Sequence, residues 1–359
     1  MFSVIFVLAA CGGGKKYEIA LITDVGTIND KSFNQGSWEG VVKYAEENKI
    51  SHKYYQPNEK SEKEYLASIE LAVKGGAKVI VTPGYYFETA IYKAQTKYPK
   101  VTFILIDGTP NDGAATPTYE TKDNVYSILF AEEQSGFLAG YAAVKDGFRS
   151  LGFMGGMAVP AVVRFGYGFV QGAEHAAKEL GLAPNAISVK YKYLNSFGPD
   201  AKIKTEAASW YNTGTEVIFV AAGGAGSSVM SAAEEATNKY VIGVDIDQSP
   251  ESTSVITSAT KELSNSVYLT LKAYYNEETT IKTGETTVMD ILNDGVGLPE
   301  DFSRMPGDFE KADFDAIVAA LKANTDSVRT NLKDDKASLT TLGLTKVKVN
   351  EQAAGFEEE

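Results

Sequence analysis

Acids, amides, aromatic rings and glycines gather in short runs at the ends of apolar stretches of this chain. The first such run reads Thr23-Asp24-Val25-Gly26-Thr27-Ile28-Asn29-Asp30-Lys31-Ser32-Phe33-Asn34. Pro83-Gly84-Tyr85-Tyr86-Phe87 and Asp107-Gly108 follow two further stretches. In the second half come Gly155-Gly156-Met157, Asn195-Ser196-Phe197-Gly198, Gly223-Gly224-Ala225-Gly226-Ser227, Asp245-Ile246-Asp247-Gln248 and Thr260-Lys261. This chemistry suits a flat, hydroxylated molecule such as a nucleoside. An aromatic face stacks on a planar base at roughly 1–3 kcal/mol per face, and Phe33 and Phe197 stand in opposite halves of the chain. A carboxylate such as Asp107 accepts from purine N–H groups. Asp245 can accept from a ribose diol and Lys261 can donate to it. The glycines let backbone N–H groups come close.

The same residues suit plainer duties. Asp24, Asn29 and Asp30 are turn and helix-cap types, and Ser32 or Asn34 is expected to cap the helix that follows. Phe33 and Phe197 fit a core or a contact between lobes equally well. Residues 223–226 make a tight strand-to-helix turn, without the Gly-Lys-Ser/Thr ending of a nucleotide P-loop or a full dinucleotide fingerprint. Catalysis finds little support: there is no Ser/His/Asp set, cysteine nucleophile or metal cluster. Paired acids alone can hydrolyse a glycosidic bond, which keeps a nucleoside-cleaving enzyme as a distant alternative. A sugar-binding receptor is the nearer one, since acids and aromatics also grip a pyranose or pentose. His52 and His175 are far apart and sit in no ligand motif, and no cofactor is expected.

Elements that position these residues are legible from periodicity. The chain has 359 residues, 44% hydrophobic and 23% charged, enough for two lobes with a large core. Its net charge of −13 argues against a nucleic-acid partner. Strands are expected near residues 18–23, 52–56, 79–82 and 101–106, with helices near 34–48 and 88–97 between them. Ser61 and Glu64 have capping-box spacing ahead of another helix. A second round follows, with strands near 150–153, 187–193, 216–221 and 240–244, and helices near 132–144, 164–180, 200–211 and 227–237. Such alternation predicts an α/β fold with parallel sheets flanked by helices. Gln35-Gly36 and Gln171-Gly172 echo one another in the two rounds. Two similar halves predict lobes facing across a cleft, with ligands beyond the carboxyl ends of the strands. The chain after Val255 is expected to return to the first lobe, with a helix near 263–275. The last 25 or so residues read as a polar tail.

The start has its own pattern. Residues 2–10, FSVIFVLAA, are too short to span a bilayer, which takes about 20 residues, and fit the apolar part of a secretory signal. Leu8-Ala9-Ala10-Cys11 resembles a bacterial lipoprotein signal, which implies acylation of Cys11 and a tether of Gly12 to Gly14. No Lys or Arg precedes the apolar run, a departure from the usual pattern. The single cysteine makes no internal disulfide, and a large core makes one unnecessary. No helix-turn-helix of a DNA-binding regulator is expected beside an exported start.

Several motifs resemble the basic membrane protein family, which includes PnrA-like purine nucleoside lipoproteins. They are Asp24 to Gly36; Gly152-Phe153-Met154-Gly155-Gly156 with Pro160-Ala161-Val162; Phe165-Gly166-Tyr167-Gly168-Phe169 with Gly172; and Gly243-Val244-Asp245 with Asp247-Gln248. The resemblance extends from about Lys16 to Gly297. It implies a type I periplasmic-binding fold, two Rossmann-like lobes joined by three hinge crossings. It implies a purine nucleoside (guanosine, adenosine or inosine) held by Asp24, Asn29, Phe33, Asp107, Phe197, Gly224, Asp245 and Lys261. Phe33 and Phe197 would stack on the base, Asp107 would hydrogen-bond it, and Asp245 and Lys261 would hold the ribose. The partners implied are an ABC permease and ATPase, the place a lipid anchor on the extracytoplasmic face of the cell membrane, and the state a monomer. The expected division is 1–16 signal and tether, 17–125 with about 252–290 as the N-terminal lobe, 126–251 with about 291–330 as the C-terminal lobe, and 331–359 as tail.

Overall fold

A computed structural model describes residues 16–24, 26–275 and 279–356. Cys11, the expected acylation site, lies outside the described residues. The first round of alternation forms β1 (Ile19–Ile22), α1 (Phe33–Glu47), β2 (His52–Tyr55), α2 (Glu62–Lys74), β3 (Val79–Pro83), α3 (Glu88–Lys97), β4 (Thr102–Ile106) and β5 (Val125–Phe130). The second forms α4 (Glu132–Lys145), β6 (Ser150–Gly155), α5 (Pro160–Glu179), β7 (Ile187–Tyr193), α6 (Ala201–Asn212), β8 (Val217–Ala221), α7 (Gly226–Glu234), β9 (Tyr240–Asp245) and β10 (Val255–Lys261). The remainder adds α8 (Leu263–Tyr274), β11 (Thr286–Met289), β12 (Val296–Gly297), α9 (Lys311–Ala323) and β13 (Val347–Glu351).

These elements make an α/β fold of two sheets. The first has the order β11-β5-β4-β3-β1-β2 and is parallel throughout. The second has the order β12-β10-β9-β8-β6-β7-β13, parallel except where β12 pairs with β10. Within each lobe the first five strands take the same order, 2-1-3-4-5. Central strands such as β1, β3 and β8 are buried along their whole length, because helices cover both faces of a parallel sheet.

The lobes exchange helices. After β5 the chain leaves the first sheet, and α4 packs on α5 of the second lobe. After β10 it returns, and α8 packs on α1 of the first. It crosses a third time between β11 and β12. The contact of α4 with α5 is a close backbone approach. A Cβ on Gly140 would fall 1.9 Å from the Phe169 carbonyl oxygen, and one on Gly172 1.9 Å from that of Phe137.

Three expectations need correction. Val255–Lys261 forms β10, paired with β9 in the second sheet, so the return to the first lobe begins after Lys261 and not near residue 252. A run of apolar residues reads alike for either sheet; the open edge beside β9 decides. Residues 331–359 are not simply a polar tail, because β13 pairs in parallel with β7. Its inward Val347 is buried, but five residues are too few for their alternation to be read in a polar context. Thirdly, neither Ser32 nor Asn34 caps α1. The Asp30 carboxylate accepts from the backbone N–H of Ser32, Asn34 and Gln35 at 3.0, 3.0 and 3.1 Å. The expected cap of α2 forms, with Ser61 accepting from the Glu64 N–H at 3.3 Å.

Candidate functional site

A cavity of about 740 Å³ lies between the lobes, where the carboxyl ends of both sheets face each other. That is the place expected for a ligand in open α/β sheets, and the size suits a small molecule. From the first lobe Asp24, Asn29, Phe33 and Asp107 line it; from the second, Phe197, Gly224, Asp245 and Lys261 do. All eight residues singled out in the sequence thus share one cavity.

The loop after β1 is held by its own polar network. The Asn34 amide donates to Asp24 Oδ1 at 2.9 Å and Asp30 Oδ2 at 2.8 Å, and Asp24 Oδ1 also accepts from the Gly26 N–H at 2.9 Å. Asp30 serves as the cap, which leaves the Ser32 hydroxyl to donate across the cleft to Asp245 Oδ2 at 2.5 Å. On the same side, the Gln248 amide donates to the Lys31 carbonyl at 2.7 Å, and Lys31 Nζ stands 3.3 Å from Glu251 Oε1.

At the floor sits a buried charge cluster. Asp107 follows β4 and Asp245 ends β9, equivalent places in the two lobes, and both have a left-handed backbone, with φ of 57° and 68°. That conformation is uncommon outside glycine but tolerated by Asp. Lys261, at the end of β10, pairs directly with Asp107. Its Nζ lies 3.0 Å from Glu132 Oε1 and 3.8 Å from Asp245 Oδ1. Arg164 Nε in turn donates to Glu132 Oε2 at 2.5 Å. Lys261 is also ringed by Phe33, Phe130 and Phe165, whose centroids are 4.9, 5.4 and 5.4 Å from Nζ.

Burial and charge oppose each other here. Burial pushes the Asp107 carboxyl up to about 7, against the pull of Lys261. Burial also raises Asp245, against Lys261 and Ser32. Burial works the same way on Glu132, but Arg164 and Lys261 outweigh it and hold that carboxyl below its ordinary range. For Lys261 burial favours the neutral amine, and Asp107, Glu132 and Asp245 overcome it to keep the ammonium. Asp107 Oδ1 is buried with no hydrogen-bond partner among the described residues. An acceptor in that state favours a donor entering the cavity.

The aromatic residues come from both sides. Phe33 opens α1, close under Lys261. The Phe197 ring rests on Gly156, where a Cβ would fall 2.3 Å from it, and the Phe197 carbonyl accepts from the Ala225 N–H at 3.0 Å. At the rim the Tyr86 hydroxyl donates to Met157 Sδ at 3.0 Å across the lobes, and Lys60 Nζ lies 3.8 Å from the centre of the Tyr86 ring.

Glu132 and Arg164 escaped the sequence reading. An acid in the first turn of a helix looks like a partner for the helix dipole, and nothing local shows that Glu132 is fully buried. Its only signal was its place at the head of the helix expected from residue 132. The two histidines stay outside the cavity: His52 is 5.5 Å from the Trp38 ring, and His175 is paired on α5 with Glu179 at 3.2 Å. The arrangement binds and orients: it offers stacking faces, carboxylate acceptors and the ammonium groups of Lys31, Lys60 and Lys261.

A family model described as ABC transporter substrate-binding protein PnrA-like matches residues 17–322. The chain is 34% identical over 243 residues to the ABC transporter nucleoside-binding protein BmpA of Lactococcus lactis subsp. cremoris, covering 64% of either chain. The chain therefore spans somewhat less than two thirds of that relative's length. It is 30% identical over 292 residues to basic membrane protein B of Borreliella burgdorferi, covering 79% of this chain and 81% of that one. Among solved structures, an ABC transporter solute-binding protein from Aeropyrum pernix superposes with a TM-score of 0.66 at 22% identity, over 88% of this chain and 89% of that one. This last likeness speaks for the fold.

Proposed function

The chain belongs to the PnrA-like family of ABC transporter substrate-binding proteins, and from that premise we propose that it binds purine nucleosides in the cavity between its lobes. The family consists of binding components of transporters and not of enzymes. One observation carries the nucleoside reading: Phe33 and Phe197, from opposite lobes, line the same cavity as a buried cluster of acids and one ammonium. The name of the Lactococcus lactis relative supports it.

In this reading the base lies between Phe33 and Phe197, with stacking of roughly 1–3 kcal/mol per face. Asp107 Oδ1, without a partner of its own, accepts from the base. Asp245 and Lys261 stand 3.8 Å apart, too far for a direct hydrogen bond. A ribose hydroxyl can bridge that gap, accepting from the ammonium and donating to the carboxylate. Asp24, Asn29 and Gly224 complete the wall. The ligand passes to an ABC permease and ATPase, and acylated Cys11 tethers the monomer to the extracytoplasmic face of the cell membrane. No described helix is long and apolar enough to cross a membrane.

Calorimetry with guanosine, adenosine, inosine, free bases, pyrimidine nucleosides and monosaccharides tests the reading. Heat from purine nucleosides and none from sugars is expected. Binding of sugars alone would overturn it.

A further inference from the structure

The family match ends at residue 322, yet the chain beyond it is tied to the wall of the cavity. Helix α5 presents Arg164, Gln171 and Glu174 at spacings of i, i+7 and i+10, which put all three on one face. Each holds the C-terminal segment. Arg164 Nη1 donates to Asp335 Oδ1 at 3.0 Å. The Gln171 amide donates to the Lys333 carbonyl and accepts from the Lys333 N–H, both at 2.9 Å. The buried Glu174 carboxylate accepts from the backbone N–H of Thr345, Lys346 and Val347 at 3.0, 2.7 and 3.0 Å. The segment then enters the sheet as β13.

The inner end of this face meets the charge cluster. Arg164 uses one nitrogen for Asp335 and another for Glu132, and Glu132 is in contact with Lys261 Nζ at 3.0 Å. Glu132 and Arg164 stand behind the cavity wall, not in it. Their register is set firmly, because α4 and α5 touch backbone to backbone beside them: a Cβ on Gly168 would fall 2.1 Å from the Glu133 carbonyl oxygen. A guanidinium with a planar fork holds two carboxylates at a fixed angle, which an ammonium does not. The direction of Arg164 thus depends on where Asp335 sits.

We propose that residues 333–347 form a positioning strap for the ligand cavity, in which Asp335 orients Arg164, Arg164 orients Glu132, and Glu132 holds the Lys261 ammonium in place. The strap touches no ligand. It decides where the one cation of the cavity floor points, and so makes affinity depend on a segment outside the matched family region. The role rests on the cavity being the ligand site, as proposed above.

The test uses the full chain with Asp335→Asn, its conservative counterpart Asp335→Glu, and Asp334→Asn as the neighbour control. Two readouts are taken: guanosine affinity by calorimetry, and the ε-carbon signal of Lys261 in carbon-13 lysine-labelled protein, assigned by its loss in Lys261→Arg. Asp335→Asn should weaken guanosine binding about threefold to tenfold and move the Lys261 signal. Asp335→Glu should restore both, and Asp334→Asn should change neither. Asp335 is partly exposed at the surface, so folding should survive, and an unchanged melting temperature separates positioning from general loosening. Wild-type affinity in Asp335→Asn would overturn the strap, whether or not the signal moved. If the wild type bound no purine nucleoside, the nucleoside reading would fall, and the Lys261 signal alone would decide whether the strap holds the cation.

Discussion

The two lobes share one plan and differ in where they keep their charge. Each has strands in the order 2-1-3-4-5, and each accepts a helix that follows the fifth strand of the other. A glycine serves both contacts: a Cβ on Gly40 of α1 would fall 2.4 Å from the Ser264 carbonyl oxygen of α8, as Gly172 of α5 meets α4. Asp107 directly after the fourth strand of the first lobe and Asp245 at the end of that of the second have the same left-handed backbone. The exchanged helices begin differently. Helix α8 starts with the buried apolar Leu263, whereas α4 starts with Glu132, buried against Arg164 and Lys261. The second lobe therefore assembles the ammonium with Glu132 and Asp245 by itself, and the first lobe delivers Asp107 to it across the cleft. The difference teaches that a pseudo-symmetric scaffold can carry an asymmetric site: the second lobe supplies Lys261, Glu132 and Asp245, and the first adds Asp107 to them, while aromatic rings come from both.

That comparison breaks most visibly at Lys261. In Lys261→Met three buried carboxylates lose their common cation, and removing one partner of a buried pair costs roughly 3–5 kcal/mol. Urea unfolding should show a loss of that order; one under about 1 kcal/mol, the scale of an exposed pair, would mean that the charged floor is not what joins the lobes.

Asp107 sharpens the comparison through pH. Its carboxyl is pushed up to about 7 from an ordinary 3.8, so the folded chain keeps a proton that the unfolded chain releases. The resulting contribution to stability is present below pH 3.8 and is lost as pH rises through about 7. Asp245 and Glu133, raised chiefly by burial, act in the same direction. Unfolding free energies measured stepwise over this range should fall with pH, and less steeply in Asp107→Asn. An identical slope in the variant would remove Asp107 from the account.

The aromatic faces come next. Phe33→Ala and Phe197→Ala should each weaken guanosine binding by roughly 1–3 kcal/mol in calorimetry. A loss confined to one of them would mean that the base is stacked on one lobe only.

The smallest effects test the plan itself. Helices α2 and α6 occupy equivalent places, and each has a side-chain cap: Ser61 accepts from the Glu64 N–H, and Asp200 from that of Lys202. Ser61→Ala and Asp200→Ala should each lower stability by about 1 kcal/mol in thermal or chemical unfolding. Unequal losses would show that the lobes lean on their second helices differently.

Much of this was open to reading before any coordinates. Alternating apolar runs and amphipathic stripes are local, so α3 and β7 fall where periodicity puts them, at Glu88–Lys97 and Ile187–Tyr193. The chemistry at strand ends is local too, and Asp24, Phe33, Asp107, Phe197, Asp245 and Lys261 all face one cavity. Caps were half legible. The spacing from Ser61 to Glu64 is unambiguous, but in Asp30-Lys31-Ser32-Phe33-Asn34 three residues compete for one role, and in the fold Asp30 takes it while Ser32 donates to Asp245 in the other lobe.

The sequence by itself determined the class of fold, the order of most of the elements up to α8 and the residue types at the cleft, since these follow from periodicity and turn chemistry within about ten residues. Tertiary structure alone decided that β10 joins the second sheet, that β13 closes its far edge, and that Glu132 and Arg164 stand behind Lys261. Each of those outcomes pairs groups from distant parts of the chain. Hydrogen-bonding edges and buried charges are satisfied by whatever the packing brings near, and no local pattern records which partner that will be.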